Sequence, residues 1–323
     1  MLKTLNEIKK SIGNTPLKQL GLRNINLFAK LEYHNYMGSI KDRTAYQILA
    51  SSISRGDIDP GVTIVEASSG NLAVSLAAMC HQLDLRFIPV VDVNINSMYL
   101  KMLKHFSHEV VVIDKVDCNG GYLLSKLDWI EKYQATHDNV FWTNQYDSIE
   151  NYNAHYYGTG QEICDSFDTL DYVFIGVGSA GTVSGVSNRV KEKFPNVKVI
   201  AVDVDGSVIF GNPPKPRHIP GMGSGRVPPL LDRAKIDDVV MVDEQETIEH
   251  CTELFKKHGL FVGGSSGTVY CAIKKYFGNR LFTQKPNVVF ICPDKGTAYA
   301  NNIYDEEWLN NFYMATQLEL VNA

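Results

Sequence analysis

Gly38-Ser39-Ile40-Lys41-Asp42-Arg43 places a single lysine where a short polar turn becomes a helix. The residues that follow, Thr44-Ala45-Tyr46-Gln47-Ile48-Leu49-Ala50, combine helix formers with apolar spacing, which predicts a helix whose first turn holds Lys41. The N–H groups of that turn have no partner inside the helix, and the end they form favours anions and disfavours a second positive charge. A lysine held there and desolvated has a lowered pKa and can act as an amine nucleophile, as Schiff-base chemistry requires.

Outward from this turn the chain alternates strands and helices. Leu27 to Tyr33 reads as a strand leading into it, after a helix pattern over Leu2 to Ile12 that stops at Gly13-Asn14, with Thr15-Pro16-Leu17 turning into extended chain. Val62 to Ala67, Arg86 to Val91 and Glu109 to Ile113 are each followed by a helical pattern; so, in the second half, is Tyr172 to Ile175. Val197 to Asp203, Val239 to Val242 and Asn287 to Cys292 complete the strands. The alternation predicts parallel sheets covered on both faces, in two α/β units with a cleft between them, and ligands in such sheets bind outside the carboxyl ends of the strands. From Gly206 to Asp232 the chain is rich in Gly and Pro without periodicity, the pattern of an active-site loop.

The bulk numbers narrow the function classes. The chain has 323 residues, 44% hydrophobic and 21% charged, enough for two units, and a net charge of -5 with no polybasic block, which argues against nucleic acid and for a small metabolite. Six cysteines, at 80, 118, 164, 251, 271 and 292, form no CxxC pair, so neither a metal knuckle nor a disulfide framework is expected, and no metal site is assigned. No signal-peptide pattern or membrane span is read, and the expected location is the cytoplasm.

Three strand-to-helix turns carry small residues: Ser68-Ser69-Gly70-Asn71, Gly176-Val177-Gly178-Ser179-Ala180-Gly181-Thr182 and Gly263-Gly264-Ser265-Ser266-Gly267. The second suits a phosphate, because side chains this small let backbone N–H groups reach the oxygens while the next helix adds its dipole. It is not a Walker loop, since no Gly-Lys-Ser/Thr closes it, and its late position disfavours a dinucleotide fingerprint. A phosphate site joined to a Schiff-base lysine points to pyridoxal phosphate.

With Asn14-Thr15-Pro16-Leu17 and Pro293-Asp294 added, these motifs stand in the order and spacing of the cysteine synthase and cystathionine β-synthase family, which the chain resembles over about nine tenths of its length. The resemblance implies fold type II of the pyridoxal phosphate enzymes, a homodimer, a larger cofactor-binding domain (1–37 and 152–323) and a smaller, mobile one (38–151) that receives the substrate carboxylate. It implies that Lys41 forms the Schiff base and that Asn71 bonds the cofactor's phenolic oxygen. Gly178, Ser179, Ala180, Gly181 and Thr182 would hold the phosphate, and Ser265 would face the pyridine nitrogen. Ser68, Ser69, Gly70 and Gln145 would receive the amino-acid carboxylate. A hydroxyl at the pyridine nitrogen makes the ring a weaker electron sink, which favours prompt loss of a β-substituent. The chemistry is then β-elimination and β-replacement through an aminoacrylate, with Lys41 taking the Cα proton.

The leaving group and nucleophile are read from departures. Leu72, Tyr146 and Arg226 are such departures, and the last two make the pocket more polar than a plain sulfide acceptor requires. The first expectation is conversion of L-cysteine and water to L-serine and hydrogen sulfide, as in the L-cysteine (hydroxyl)lyases the chain also resembles, with Asp232 as the base that takes the water's proton and Tyr146 orienting that water. The alternative is synthesis of a 2,3-diaminopropionate precursor from O-phospho-L-serine and L-glutamate, with Arg226 on the distal carboxylate; Tyr122, residues 206–211 and residues 305–308 also resemble that branch. Cysteine synthesis from O-acetylserine and sulfide is a third.

Overall fold

The computed structural model describes residues 1–278 and 280–322, with side chains as far as 315. Strands β1 (Leu17–Gly21), β2 (Asn26–Leu31), β3 (Thr63–Ala67), β4 (Arg86–Asp92), β5 (Val111–Ile113), β6 (Val140–Trp142), β7 (Tyr172–Gly176), β8 (Lys198–Val204), β9 (Asp238–Val242) and β10 (Asn287–Cys292) form two sheets. One is six-stranded, in the order β1-β2-β10-β7-β8-β9, and the other four-stranded, in the order β5-β4-β3-β6. Only the β1–β2 pair is antiparallel among these ladders. The parallel strands are apolar almost without interruption because both their faces are covered: Val199, Ile200, Ala201 and Val202 of β8 are all buried.

Each sheet has its own core. Leu27, Phe174, Val202, Tyr270 and Phe290 pack on the six-stranded sheet, and Ile64, Leu76 and Phe87 on the four-stranded one. The helix Lys41–Arg55 belongs to the second core through Ala45 and Leu49, and it ends on Gly56 in the left-handed conformation, φ +81°. The turn that precedes it is tied to the first sheet: Ile40 N–H donates to Pro293 O (2.8 Å), and Ser39 forms a β-bridge with Asp294, just beyond β10. Lys41 therefore stands where the two sheets meet.

The strand expected over residues 27–33 stops at Leu31, because Glu32 turns inward as a buried carboxylate. It accepts from Thr15 Oγ1 (2.8 Å) and from Arg43 Nε and Nη2 (2.6 and 2.9 Å). Arg43 also reaches Glu162 (2.7 and 2.8 Å), which Lys30 Nζ joins at 2.7 Å, so two buried cations meet two carboxylates. Glu162 lies in a stretch with no strand-and-helix signal of its own, folded as Ile149–Ala154, a π-helix over His155–Gly160, and Gln161–Ser166. The extended chain expected after Thr15-Pro16-Leu17 is β1, and of the loop expected over residues 206–232, residues 206–228 are irregular while 229–232 belong to the short turn Pro229–Arg233.

Arg43→Met leaves Glu32 buried without its cation, and removing one partner of a buried pair costs about 3–5 kcal/mol, a loss to be read from urea unfolding. Burial pushes the Glu162 carboxyl up, but the hydrogen bonds and charges of Arg43 and Lys30 outweigh it and hold the group at about 2, below its ordinary 4.5. A depressed carboxyl contributes stability that is present above the unfolded value and lost as pH falls through the folded one. The stability gap between wild type and Glu162→Gln should therefore be full above pH 4.5 and shrink as pH falls from 4.5 toward 2, with stability measured across that range.

Candidate active site

The turn that carries Lys41 is shaped by its neighbour. Asp42 is buried, and its carboxylate accepts the N–H groups of Met37 (2.8 Å) and Ser39 (3.3 Å) and the hydroxyl of Ser75 (2.7 Å). With Asp42 and Arg43 both turned inward, Lys41 projects into the cleft. Its Nζ lies 3.3 Å from Gln145 Oε1 and 3.3 Å from Ser179 Oγ. Desolvation lowers its pKa from 10.5 to about 8, partly opposed by the charge of Glu66. Glu66, at the end of β3, is itself fully buried, and burial raises its pKa. It accepts from Thr143 Oγ1 and from Gln145 Nε2 (3.3 Å), which leaves the Gln145 oxygen facing the lysine.

Opposite, the loop after β7 enters the helix Gly181–Lys193 through Ala180, held at φ +63°. A side chain at 181 could not fit: its Cβ would stand 2.3 Å from the Asn151 carboxamide. That carboxamide accepts from Thr44 Oγ1 (2.9 Å) and donates to Gln145 O (2.7 Å) and Ser179 Oγ (3.1 Å), so it locks the loop to the Lys41 helix. His155, wholly buried and neutral because desolvation pushes its pKa well down, touches Thr44, Thr159 and Thr182 at 3.2–3.3 Å. Gly178 is only half-buried, with 3.7 Å between a Cβ placed there and Gly221 O, room for a small side chain.

In the Ser68–Asn71 loop, Ser68 Oγ accepts from Gly70 N–H (3.4 Å) and keeps its own proton free. Ser69, expected to receive the amino-acid carboxylate, donates its hydroxyl to Asp92 Oδ2 (2.6 Å), which the nearly buried Lys126 also grips at 2.6 Å. Asn71 receives the Tyr99 hydroxyl on Oδ1 (2.5 Å) and gives one Nδ2 hydrogen to Asp294 (2.7 Å). Ser265, in the first turn of the helix Gly264–Phe277, is nearly buried and makes no side-chain hydrogen bond among the described residues. Arg226 lies 5.4 Å from the centroid of the Tyr146 ring, and burial with the charge of Glu66 pushes that phenol up to about 12.

Asp232 is not brought to this cluster. It is exposed on the short turn Pro229–Arg233, which is fastened to the outside of the Gly181 helix by Ser184 Oγ to Leu230 O (2.7 Å) and Asn188 Nδ2 to Arg233 O (2.6 Å). Sequence reasoning passed over Glu66, Asn151, His155 and the Lys126–Asp92 pair. The available signal was a polar residue at the apolar end of β3, and Asn151 and His155 four apart on one helix face.

These features fit pyridoxal phosphate on the geometry alone. A desolvated amine suits an aldehyde, a small-residue loop with the free N–H groups of a helix start suits a phosphate, and the unbonded Ser265 hydroxyl suits a ring nitrogen. A family model described as pyridoxal-phosphate dependent enzyme matches residues 8–294. The N-(2-amino-2-carboxyethyl)-L-glutamate synthase of Ralstonia nicotianae is 41% identical over 303 residues, covering 92% of this chain and 89% of the relative. The synthase of the same name from Cupriavidus metallidurans is 38% identical over 310 residues, covering 94% and 91%. A solved hydrogen sulfide-producing enzyme from Fusobacterium nucleatum superposes with a TM-score of 0.84 at 28% identity, over 91% of this chain and 99% of that one. The chain thus belongs to the pyridoxal-phosphate dependent enzymes, among those of the cysteine synthase family that carry out β-replacement, and its cofactor is pyridoxal 5'-phosphate.

Proposed function

We propose that the enzyme replaces the phosphate of O-phospho-L-serine with the amine of L-glutamate, giving N-(2-amino-2-carboxyethyl)-L-glutamate and inorganic phosphate. The observation that carries this reading is Arg226. Its guanidinium stands over Tyr146, the neighbour of Gln145, with no ion pair or side-chain hydrogen bond of its own among the described residues, and a planar cation so placed suits the distal carboxylate of a dicarboxylic acceptor. Relatives at 38–41% identity carry the name of this activity. The reading takes precedence over hydrolysis of L-cysteine. That route needs a base for water, and Asp232, its candidate, is exposed on an outer turn without an ion pair or side-chain hydrogen bond among the described residues, while the sulfide-producing neighbour is 28% identical.

The bound cofactor supplies the electron sink that lets the Cα–H bond and then the Cβ–O bond break. Lys41 would carry it and, as a neutral amine, would take the Cα proton; its lowered pKa keeps a useful fraction neutral near pH 8. Asn71 would hold the phenolic oxygen, Gly178 to Thr182 the phosphate, and Ser265 the ring nitrogen. The substrate carboxylate falls to Ser68, Gly70 and the second Nε2 hydrogen of Gln145, the first being given to Glu66, with Ser69 contributing its backbone N–H because its hydroxyl is given to Asp92. The glutamate amine would add to Cβ, its surplus proton passing to solvent, and Lys41 would return its proton to Cα. Residues 38–151 act as the smaller, mobile unit that closes on this carboxylate, and the working form is a homodimer, which sedimentation would test.

With O-phosphoserine and glutamate the enzyme should release one phosphate per product. Arg226→Ala should raise the KM for glutamate about 10- to 100-fold, the worth of one charged hydrogen bond, while single-turnover phosphate release without glutamate stays near wild type. Serine and sulfide from L-cysteine at a higher kcat/KM would reverse the order of the two readings. Reaction of Lys41 with the cofactor needs the neutral amine, so the rate at which the cofactor-free protein loads should climb with pH and level off above about 8, where an ordinary lysine would continue toward 10.5.

A further inference from the structure

Beside the cofactor residues lies a carboxylate with no part in the reaction as derived so far. Asp294, just past β10, is 3% exposed. Its Oδ2 accepts from Asn71 Nδ2 (2.7 Å) and from Tyr299 Oη (2.9 Å), and its Oδ1 is buried with no hydrogen-bond partner. Its backbone bridges to Ser39 of the lysine turn, and its carbonyl accepts Gly263 N–H (3.1 Å) at the start of the Ser265 helix. Gly263 is what admits the carboxyl, since a Cβ there would stand 2.1 Å from Oδ1.

A carboxamide can face its partners in two ways. With Asp294 ionised, an acceptor only, the way that turns the Asn71 oxygen toward it is repulsive, and the way observed gives one Nδ2 hydrogen to Asp294 and the oxygen to Tyr99. The second Nδ2 hydrogen is left without a partner among the described residues. Burial pushes Asp294 up to about 6 against the pull of Asn71 and Tyr299, so the ionised form prevails at neutral pH.

We infer that Asp294 is a positioning residue: by fixing the face of the Asn71 carboxamide, it makes Asn71 a hydrogen-bond donor to the cofactor's phenolic oxygen, and so acts on cofactor binding through Asn71. The inference rests on the reading of Asn71 as a cofactor contact and adds the group that orients it. It also joins three cofactor-facing stretches, those of Lys41, Asn71 and Ser265, to one short segment after β10.

A double-mutant cycle tests it, with the cofactor dissociation constant of each full-length variant measured by titrating the cofactor-free protein, and the thermal midpoint of that cofactor-free protein recorded alongside. Asp294→Asn keeps the shape of the side chain but can donate as well as accept, and it should weaken cofactor binding about tenfold, the scale of one charge-assisted bond. Asn71→Ala should weaken it at least as much, and Asn71→Ala with Asp294→Asn no further, because the path runs through Asn71. Asp294→Glu, which restores the charge, should recover part of the loss. Additive losses, or an Asp294→Asn protein that loads as wild type does, would overturn the inference. So would a loss of affinity that only follows a fall in the midpoint of the cofactor-free protein. An Asn71→Ala protein that binds cofactor normally would instead remove the underlying role of Asn71, an outcome separate from the others.

Discussion

The structure depends on a lysine kept out of water at the head of a helix. An ammonium in that position is disfavoured by the loss of hydration and by the positive end of the helix, and only a rigid turn can hold the side chain there. Asp42 supplies the rigidity by collecting two N–H groups of its own turn and a hydroxyl from the Asn71 helix. Arg43 supplies it by closing the buried set with Glu32, Glu162 and Lys30. With both neighbours committed inward, the Lys41 amine has the cleft as its remaining direction, and Gln145 and Ser179 meet it there.

Around that amine the polar groups are held in pairs across elements. Asn151 ties Ser179 and Gln145 to the lysine helix, and Glu66 sets which end of the Gln145 carboxamide faces the amine. Buried polar groups of this kind tolerate little change, since each one left without its partner carries the full cost of its desolvation. They also explain the small residues nearby. Gly181 is demanded by the Asn151 side chain as much as by any ligand.

Much of the site was readable because its demands are local. A helix start, a turn of small residues after a β-branched strand and an irregular loop of Gly and Pro each leave a mark within a few positions, and most strands followed from their apolar runs, the short β6 (Val140–Trp142) excepted. Glu66, His155 and Asn151 were not readable in that way. A carboxylate at the end of an apolar strand has meaning only once Thr143 and Gln145 are seen beside it, both from the loop after β6. Ser69 looked equivalent to Ser68 in sequence, but a long-range pair, Asp92 with Lys126, claims its hydroxyl. Asp232 and Arg226 were both charges in the same loop. The first faces water on the outside of the Gly181 helix, and the second lies over an aromatic ring near the cleft.

By itself the sequence determined the alternation of strands and helices, the lysine turn, the phosphate-shaped loop and with them the cofactor, because these rest on backbone geometry and on residue types that act within a turn or two. Only the tertiary structure decided which charges face the cleft, which hydroxyls are free, and that Asp294 stands behind Asn71. Those outcomes come from contacts between residues as far apart as 71 and 294, and no local pattern fixes the side on which a polar group finds its partner.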